Sequence, residues 1–146
     1  AYESWGGALV NLGRDTEACE NCAKAIMIDP GCVMAYSFWG AALVNLGRDT
    51  EACEKCAKAV AIDPGCFMAY SNWCSALLNL GRYDEACEKC VRMAAIAPRD
   101  AMVYGYWGFA LAEMGKSPEA EKKWTKAIKL DPAMKPQIDE LRSRLP

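Results

Sequence analysis

The stretch YSFWGAALVNLGRDTEACEKCAKAVAIDP, residues 36–64, decides the fold of this chain. Apolar residues recur at spacings of three and four on both sides of Gly47, as in helices that bury one face. Gly47 favours the left-handed conformation that ends a helix, and the residue before Pro64 avoids the helical region. The stretch therefore predicts two helices, over 34–46 and 50–62, joined by a tight turn.

Polar residues mark the start and the outer face of the second helix. Asp49 is predicted as its N-cap, because a carboxylate accepts hydrogen bonds from the free N–H groups of a first turn. In the last copy of the pattern, Ser117 and Pro118 give a stronger signal of the same kind. Glu51 and Lys55 are four residues apart with the acid first, and such pairs predict a solvated face stabilised by about 0.2–0.5 kcal/mol per pair.

This two-helix pattern recurs at a constant period, with its turn glycine at Gly13, Gly47, Gly81 and Gly115. Residues 1–32 differ from residues 35–66 at only six of the 32 positions. A unit of this size cannot bury its apolar face alone, so neighbouring units must stack to form a core. The predicted units are four helix-turn-helix repeats, at 1–32, 33–66, 67–100 and 101–134, followed by a C-terminal capping helix at 135–146. In that last helix Ile138 is expected to dock, and Arg142 to face water.

Small residues stand where the two helices of a unit must cross. On the first helix they are Gly6, Gly40, Cys74 and Gly108, and on the second Ala18, Ala52, Ala86 and Ala120. A bulky side chain at either place would force the helices apart, at a cost of about 1–3 kcal/mol. The predicted fold class is therefore all-α, with closely packed helix pairs.

These residues resemble the tetratricopeptide repeat (TPR) family. In the second unit the resemblance rests on Trp39, Gly40, Leu43, Gly47, Ala52, Ala59 and Pro64. It continues in register over four units and about nine-tenths of the chain. The resemblance implies a right-handed α-solenoid, a superhelix in which the first helices of successive units line a concave groove.

The groove that the resemblance implies is the candidate peptide-binding site. Its candidate residues are Asn11, Met34, Ser37, Asn45, Met68, Ser71, Asn72, Asn79, Met102 and Phe109. Almost no charge lies in this lining, and methionine adapts its shape to irregular partners. Asn11, Asn45 and Asn79 recur at the same place in successive units and could donate to and accept from a peptide backbone, or instead help to end the first helix.

Two further features of the groove bear on its ligand. Family members that hold acidic chaperone C-termini use Lys, Arg and Asn there, and that activity is not expected here. The matching places hold Glu3, Gly7, Phe38, Met68 and Asn72.

The recurring tyrosines, Tyr2, Tyr36, Tyr70 and Tyr104, are interpreted as core residues, with the edge of the groove as the alternative.

The nine cysteines include three Cys-x-x-Cys pairs. The pairs are Cys19–Cys22, Cys53–Cys56 and Cys87–Cys90. Residues three apart on a helix have Cβ atoms about 5–6 Å apart, too far for an undistorted disulfide. Packed helices about 8–10 Å apart would also keep two pairs from converging on one zinc ion.

Packing is therefore the favoured role of these cysteines. Trp124 occupies the place that Cys56 holds two units earlier, and a tryptophan can replace a packed side chain but not a metal ligand. Adventitious metal binding or oxidation, and an evolved redox function, remain the alternatives. Cys32 and Cys66 lie in the turns between units and are predicted to be the most exposed thiols.

Composition excludes several classes of function. With 17 basic and 19 acidic residues the net charge is -2, which does not favour nucleic acid or an acidic membrane as a partner. No apolar run approaches the roughly 20 residues that span a bilayer, so no membrane insertion is expected. The sequence has no histidine, no Gly-rich phosphate loop and no paired carboxylates in an apolar setting. Neither an enzyme nor a cofactor or metal is therefore predicted.

The predicted function is a non-catalytic module that binds a protein or peptide in the groove and scaffolds an assembly. One alternative is a substrate-recruiting segment of a larger enzyme, as in glycosyltransferases whose repeats look similar, and another is a thiol-based metal or redox protein. Self-association through the groove or the ends of the array is also open. The odd cysteine count favours a reducing compartment such as the cytoplasm, and a start at Ala1 is compatible with a piece of a longer protein.

Overall fold

The computed structural model describes residues 1–145 and is helical in that range, with no β-strand. The helices are α1 (Tyr2–Asn11), α2 (Asp15–Ile28), α3 (Val33–Asn45), α4 (Asp49–Ile62), α5 (Phe67–Asn79), α6 (Tyr83–Ile96), α7 (Ala101–Glu113), α8 (Ser117–Leu130) and α9 (Lys135–Ser143), with a 3₁₀ turn at Pro132–Met134. The all-α prediction is confirmed. The chain divides into two compact bodies, Ala1–Leu80 and the part from Gly81 onward.

The first body contains helices α1 to α5. Each helix packs against the next one along the chain, and α3 also packs against α1 and α5. Helices α1, α3 and α5 therefore form one row, and α2 and α4 lie against that row. The candidate site residues of this body belong to the row, so the packing of the pairs determines which of their side chains reach solvent.

Close contact between a glycine and a larger residue defines the helix pairs of repeats one, two and four. A Cβ atom on Gly40 of α3 would lie 2.6 Å from the Cys56 sulfur of α4, closer than real Cβ contacts. In the α7–α8 pair, a Cβ atom on Gly108 would overlap the indole of Trp124. Cys56 and Trp124 are both fully buried. The predicted packing role of Cys56 is confirmed, because its sulfur fills the same space as part of a tryptophan ring.

The turn between α3 and α4 is as the sequence predicts, but the N-cap of α4 is not. Gly47 has φ +73°, the left-handed conformation that ends α3. The N-cap of α4 is Arg48 rather than Asp49, and no side chain caps the helix. Ser117 is likewise the first residue of α8, after Lys116. Both predicted caps are wrong by one residue, because the tight glycine turn leaves few residues between the helices.

The outer face of α4 pairs its charges differently from the prediction. Glu51 accepts a two-pronged hydrogen bond from Arg48 at 2.9 and 2.7 Å, which holds the pKa of Glu51 below its usual value. Lys55 lies instead over the ring of Trp39, 3.9 Å from its centroid. A planar guanidinium can donate two parallel hydrogen bonds to a carboxylate, whereas an ammonium group cannot. Glu51 therefore pairs with Arg48, and Lys55 lies over the aromatic ring instead.

The last helix of the second body, α9, lies within the segment 135–146 that the sequence predicts as a capping helix. Ile138 of α9 is 1% exposed, so this helix covers apolar surface. Arg142 is expected to face water, but it donates to Glu121 of α8 at 2.8–3.1 Å and to Asp139 at 2.8 Å. These partly exposed ion pairs fix the orientation of α9, and pairs of this kind contribute about 0–1 kcal/mol each.

Gly40→Ala tests the close approach of α3 and α4. The added methyl group must displace the Cys56 sulfur, and we expect the free energy of unfolding to fall by about 1–3 kcal/mol in urea denaturation. Gly65→Ala is the matched control, because its Cβ atom would meet nothing closer than 3.4 Å. Equal stability of Gly40→Ala and wild type would contradict the packing described here.

Candidate functional site

The row of α1, α3 and α5 presents most of the candidate groove residues of the first body. Those exposed to solvent are Asn11, Met34, Asn45 and Asn79, and those half-buried are Met68, Ser71 and Asn72. Met34 is the most apolar of the exposed group and is 40% accessible. The predicted surface is therefore largely available for contact, with one exception.

The exception is Ser37, which is completely buried. Its hydroxyl donates to the Val33 carbonyl oxygen at 3.0 Å and lies 3.3 Å from the sulfur of Cys66. Ser37 therefore cannot present its hydroxyl to a ligand. Its carbonyl oxygen accepts from Nδ2 of Asn72 at 3.0 Å, so this part of the row is held by polar contacts between α3 and α5.

The recurring asparagines join successive repeats. Nδ2 of Asn45 donates to Asp15 at 3.0 Å, and Nδ2 of Asn79 donates to Asp49 at 3.1 Å. Each bond runs from the end of a first helix to the start of the preceding second helix. Neither of the two roles predicted for these residues includes this contact. The hydrogen bond to Asp15 fixes the orientation of the Asn45 amide. Within residues 1–145, no donor forms a hydrogen bond to the amide oxygen of Asn45.

Phe38 is a surface residue of the row that the sequence did not single out as a ligand contact. A Cβ atom on Gly7 of α1 would lie 2.7 Å from the Phe38 ring, so the ring of α3 rests directly on α1. Phe38 stays half-buried and adds an aromatic edge beside the exposed Met34. Met68 packs against the cluster around Tyr36, so this candidate is partly a core residue.

The candidates of the second body lie at two different recesses. Phe109 meets Tyr83 edge-on, with ring centroids 6.3 Å apart. Phe109 also lines a recess of about 160 Å³ together with Ala112, Glu113, Trp124, Leu141, Arg144 and Leu145. Met102 is exposed and lines a wider recess of about 480 Å³ beside Met134. Helix α9 therefore occupies part of the surface next to Phe109.

Two of the cysteines that belong to Cys-x-x-Cys pairs have thiols that are far from activated. Burial raises the pKa of both Cys22 and Cys56 to about 12. Cys66 is predicted to be exposed, but it is buried beneath Tyr36 and Ala69 at the start of α5. Among the described residues, no group of three or more potential metal ligands could hold an ion. Thiols with raised pKa values are poor nucleophiles, so burial favours the packing role.

The fold and this surface define the class of the protein. Helix pairs that recur in register along the sequence, with a glycine where the two helices cross in repeats one, two and four, form the tetratricopeptide-repeat fold, which is typical of protein-interaction scaffolds. The resemblance found in the sequence is confirmed. In the part of the chain that the structure covers, no helix has both the length and the apolar character to cross a membrane.

Solved structures of MamA share this fold. A crystal structure of MamA is 23% identical over 90% of this chain and 77% of that one, with a TM-score of 0.84. MamA 41-end from Desulfovibrio magneticus RS-1 is 25% identical over 90% and 74%, with a TM-score of 0.82. A structure of MamA AMB-1 is 26% identical over 88% and 76%, with a TM-score of 0.77. No family model and no curated protein sequence matches the chain.

The raised thiol pKa of Cys56 predicts alkaline destabilisation. The folded thiol stays neutral up to about pH 12, whereas the unfolded thiol ionises from about pH 9. Its contribution to stability is therefore complete below pH 9 and is lost as the pH rises above it. We expect this residue to lower the free energy of unfolding by about 1 kcal/mol per pH unit above pH 9.5.

Urea denaturation between pH 8.5 and 10.5 measures this slope. Cys56→Ala is the comparison, and its stability should fall less steeply over the same interval, whatever its stability at pH 8.5. Parallel curves for the two proteins would show that Cys56 ionises equally in both states.

Proposed function

We propose that the protein is a non-catalytic interaction module that binds an extended segment of a partner protein on the α1–α3–α5 row. The observation that carries the proposal is the row itself, which has oriented asparagine amides where α3 and α5 end and the exposed Met34 where α3 begins. Asn45 offers a fixed carbonyl oxygen, and Met34 offers an adaptable apolar contact. The neighbouring structures, which have the fold of repeat scaffolds, support the same general role.

The repeat spacing suits an extended backbone. Packed helices lie about 8–10 Å apart, and an extended chain advances about 3.3 Å per residue. A segment running across the row would thus meet one asparagine for about every three of its residues. Because an amide oxygen accepts from any peptide N–H, such contacts would hold the segment with little regard to its sequence.

Apolar contacts supply the selectivity in this proposal. Met34 and the Phe38 edge form the accessible apolar part of the row, and burial of such a side chain contributes about 25 cal/mol per Å² of apolar area. The expected ligand is a peptide with an apolar residue flanked by uncharged ones. An acidic peptide is not expected, because no lysine or arginine occurs in α1, α3 or α5.

Met34→Glu tests the proposal. Short synthetic peptides would first be selected on the wild-type protein and then titrated by fluorescence anisotropy. A carboxylate at this exposed position would have to be desolvated against the apolar residue of the ligand, so we expect a loss of affinity of at least about tenfold. Met27→Glu is the matched control, because Met27 is 84% exposed on α2, outside the row.

A second variant separates recognition from stability. Asn45→Ala removes both the amide oxygen and the bond to Asp15, and its binding must be compared at a temperature where circular dichroism shows it folded. Undiminished binding by Met34→Glu and Asn45→Ala together would place the selected peptides elsewhere and overturn the proposed site.

A further inference from the structure

The lysines of the second helices cover the aromatic residues of the first helices. Lys55 lies 3.9 Å from the centroid of the Trp39 ring, and Lys123 lies 3.6 Å from that of Trp107. An ammonium group over an indole face is attracted by the negative charge of the ring surface. Repeats two and four therefore each supply a cation to their own tryptophan.

The first repeat lacks this cation. Asn21 stands where repeat two has Lys55, and this is one of the six differences between the two sequences. The Asn21 side chain is 9% exposed, and its Nδ2 donates to the carbonyl oxygen of Glu17 at 2.9 Å. It is thus turned back onto its own helix. Trp5 is 59% exposed, and within residues 1–145 no lysine or arginine lies over its ring.

The first repeat has a negative net charge, which is complementary to the cationic side chain that it lacks. Residues 1–32 contain five acidic and two basic residues, a net charge of -3, whereas residues 101–134 have a net charge of +1. Glu20 precedes Asn21 on α2 and is exposed to solvent. The Trp5 face that has no cation over it therefore lies on the repeat with the most negative net charge in the chain.

We propose that the open face of Trp5 is a binding site for a lysine or arginine side chain on a basic segment of a partner protein. The incoming group would take the place that Lys55 has over Trp39. Trp5 lies on α1, one helix of the row, but the site proposed here includes neither Met34 nor Asn45. It does not depend on the function proposed for those residues. A single exposed contact of this kind changes an affinity by about two- to fivefold, and the acidic charge of the repeat adds to that.

The test uses a pentalysine peptide, acetylated and amidated, as the probe of the full chain. Chemical shifts of the Trp5 indole N–H, assigned by comparison with Trp5→Phe, should move saturably on titration. Asn21→Lys supplies the internal cation and should weaken binding by at least about threefold. Met27→Lys adds the same charge elsewhere on α2, and its effect should be less than half as large.

A second variant tests the same idea in the opposite direction. Lys55→Asn gives repeat two the residue of repeat one, and the Trp39 indole should then shift on titration where it did not before. If Asn21→Lys and Met27→Lys weaken the probe equally, only overall charge matters and the proposal fails. If sedimentation velocity shows self-association of the wild type that Asn21→Lys dissolves, the occupant is a second copy and the proposal of a foreign segment is overturned.

Discussion

The structure depends on one steric constraint, the close approach of a first helix to its second helix at a small residue. At Gly40 there is space for the Cys56 sulfur but not for an added Cβ atom. The second-helix residue that faces the glycine differs between pairs, since it is Cys56 in the second repeat and Trp124 in the last. In both pairs this residue is fully buried. The second cysteine of each Cys-x-x-Cys pair is a fully buried core residue that recurs with the repeat, namely Cys22, Cys56 and Cys90.

The same hydrogen bond recurs between successive repeats and joins repeats two and three each to the one before it. Asn45 bonds to Asp15 and Asn79 bonds to Asp49, so α3 and α5 are each joined to the unit before them by the same contact. Where neighbouring repeats are nearly identical, a single difference becomes informative. Asn21 stands where repeat two has a lysine, and within residues 1–145 no cation lies over the Trp5 ring, although the residues on both sides of position 21 are unchanged from repeat two.

The sequence predicts those features that depend on contacts within one helix pair. The helix positions, the left-handed Gly47 and the burial of Cys56 all follow from spacing and side-chain volume. Ser37 and Cys66 are predicted at the surface, yet they contact each other across 29 positions of the chain. Helical periodicity locates a side chain relative to its own axis, so it cannot show which faces the next unit covers.

The two surfaces would recognise their ligands through different forces. The row of α1, α3 and α5 offers amides and apolar side chains, whose interactions depend little on ionic strength. A cation at Trp5 would be held partly by the net charge of the first repeat, and charges at a protein surface are screened beyond about 8 Å at physiological ionic strength. Added salt would therefore weaken contacts at Trp5 and leave those at Met34 and Asn45 nearly unchanged. For a partner that binds at both sites, the salt dependence of its affinity would distinguish the two contributions.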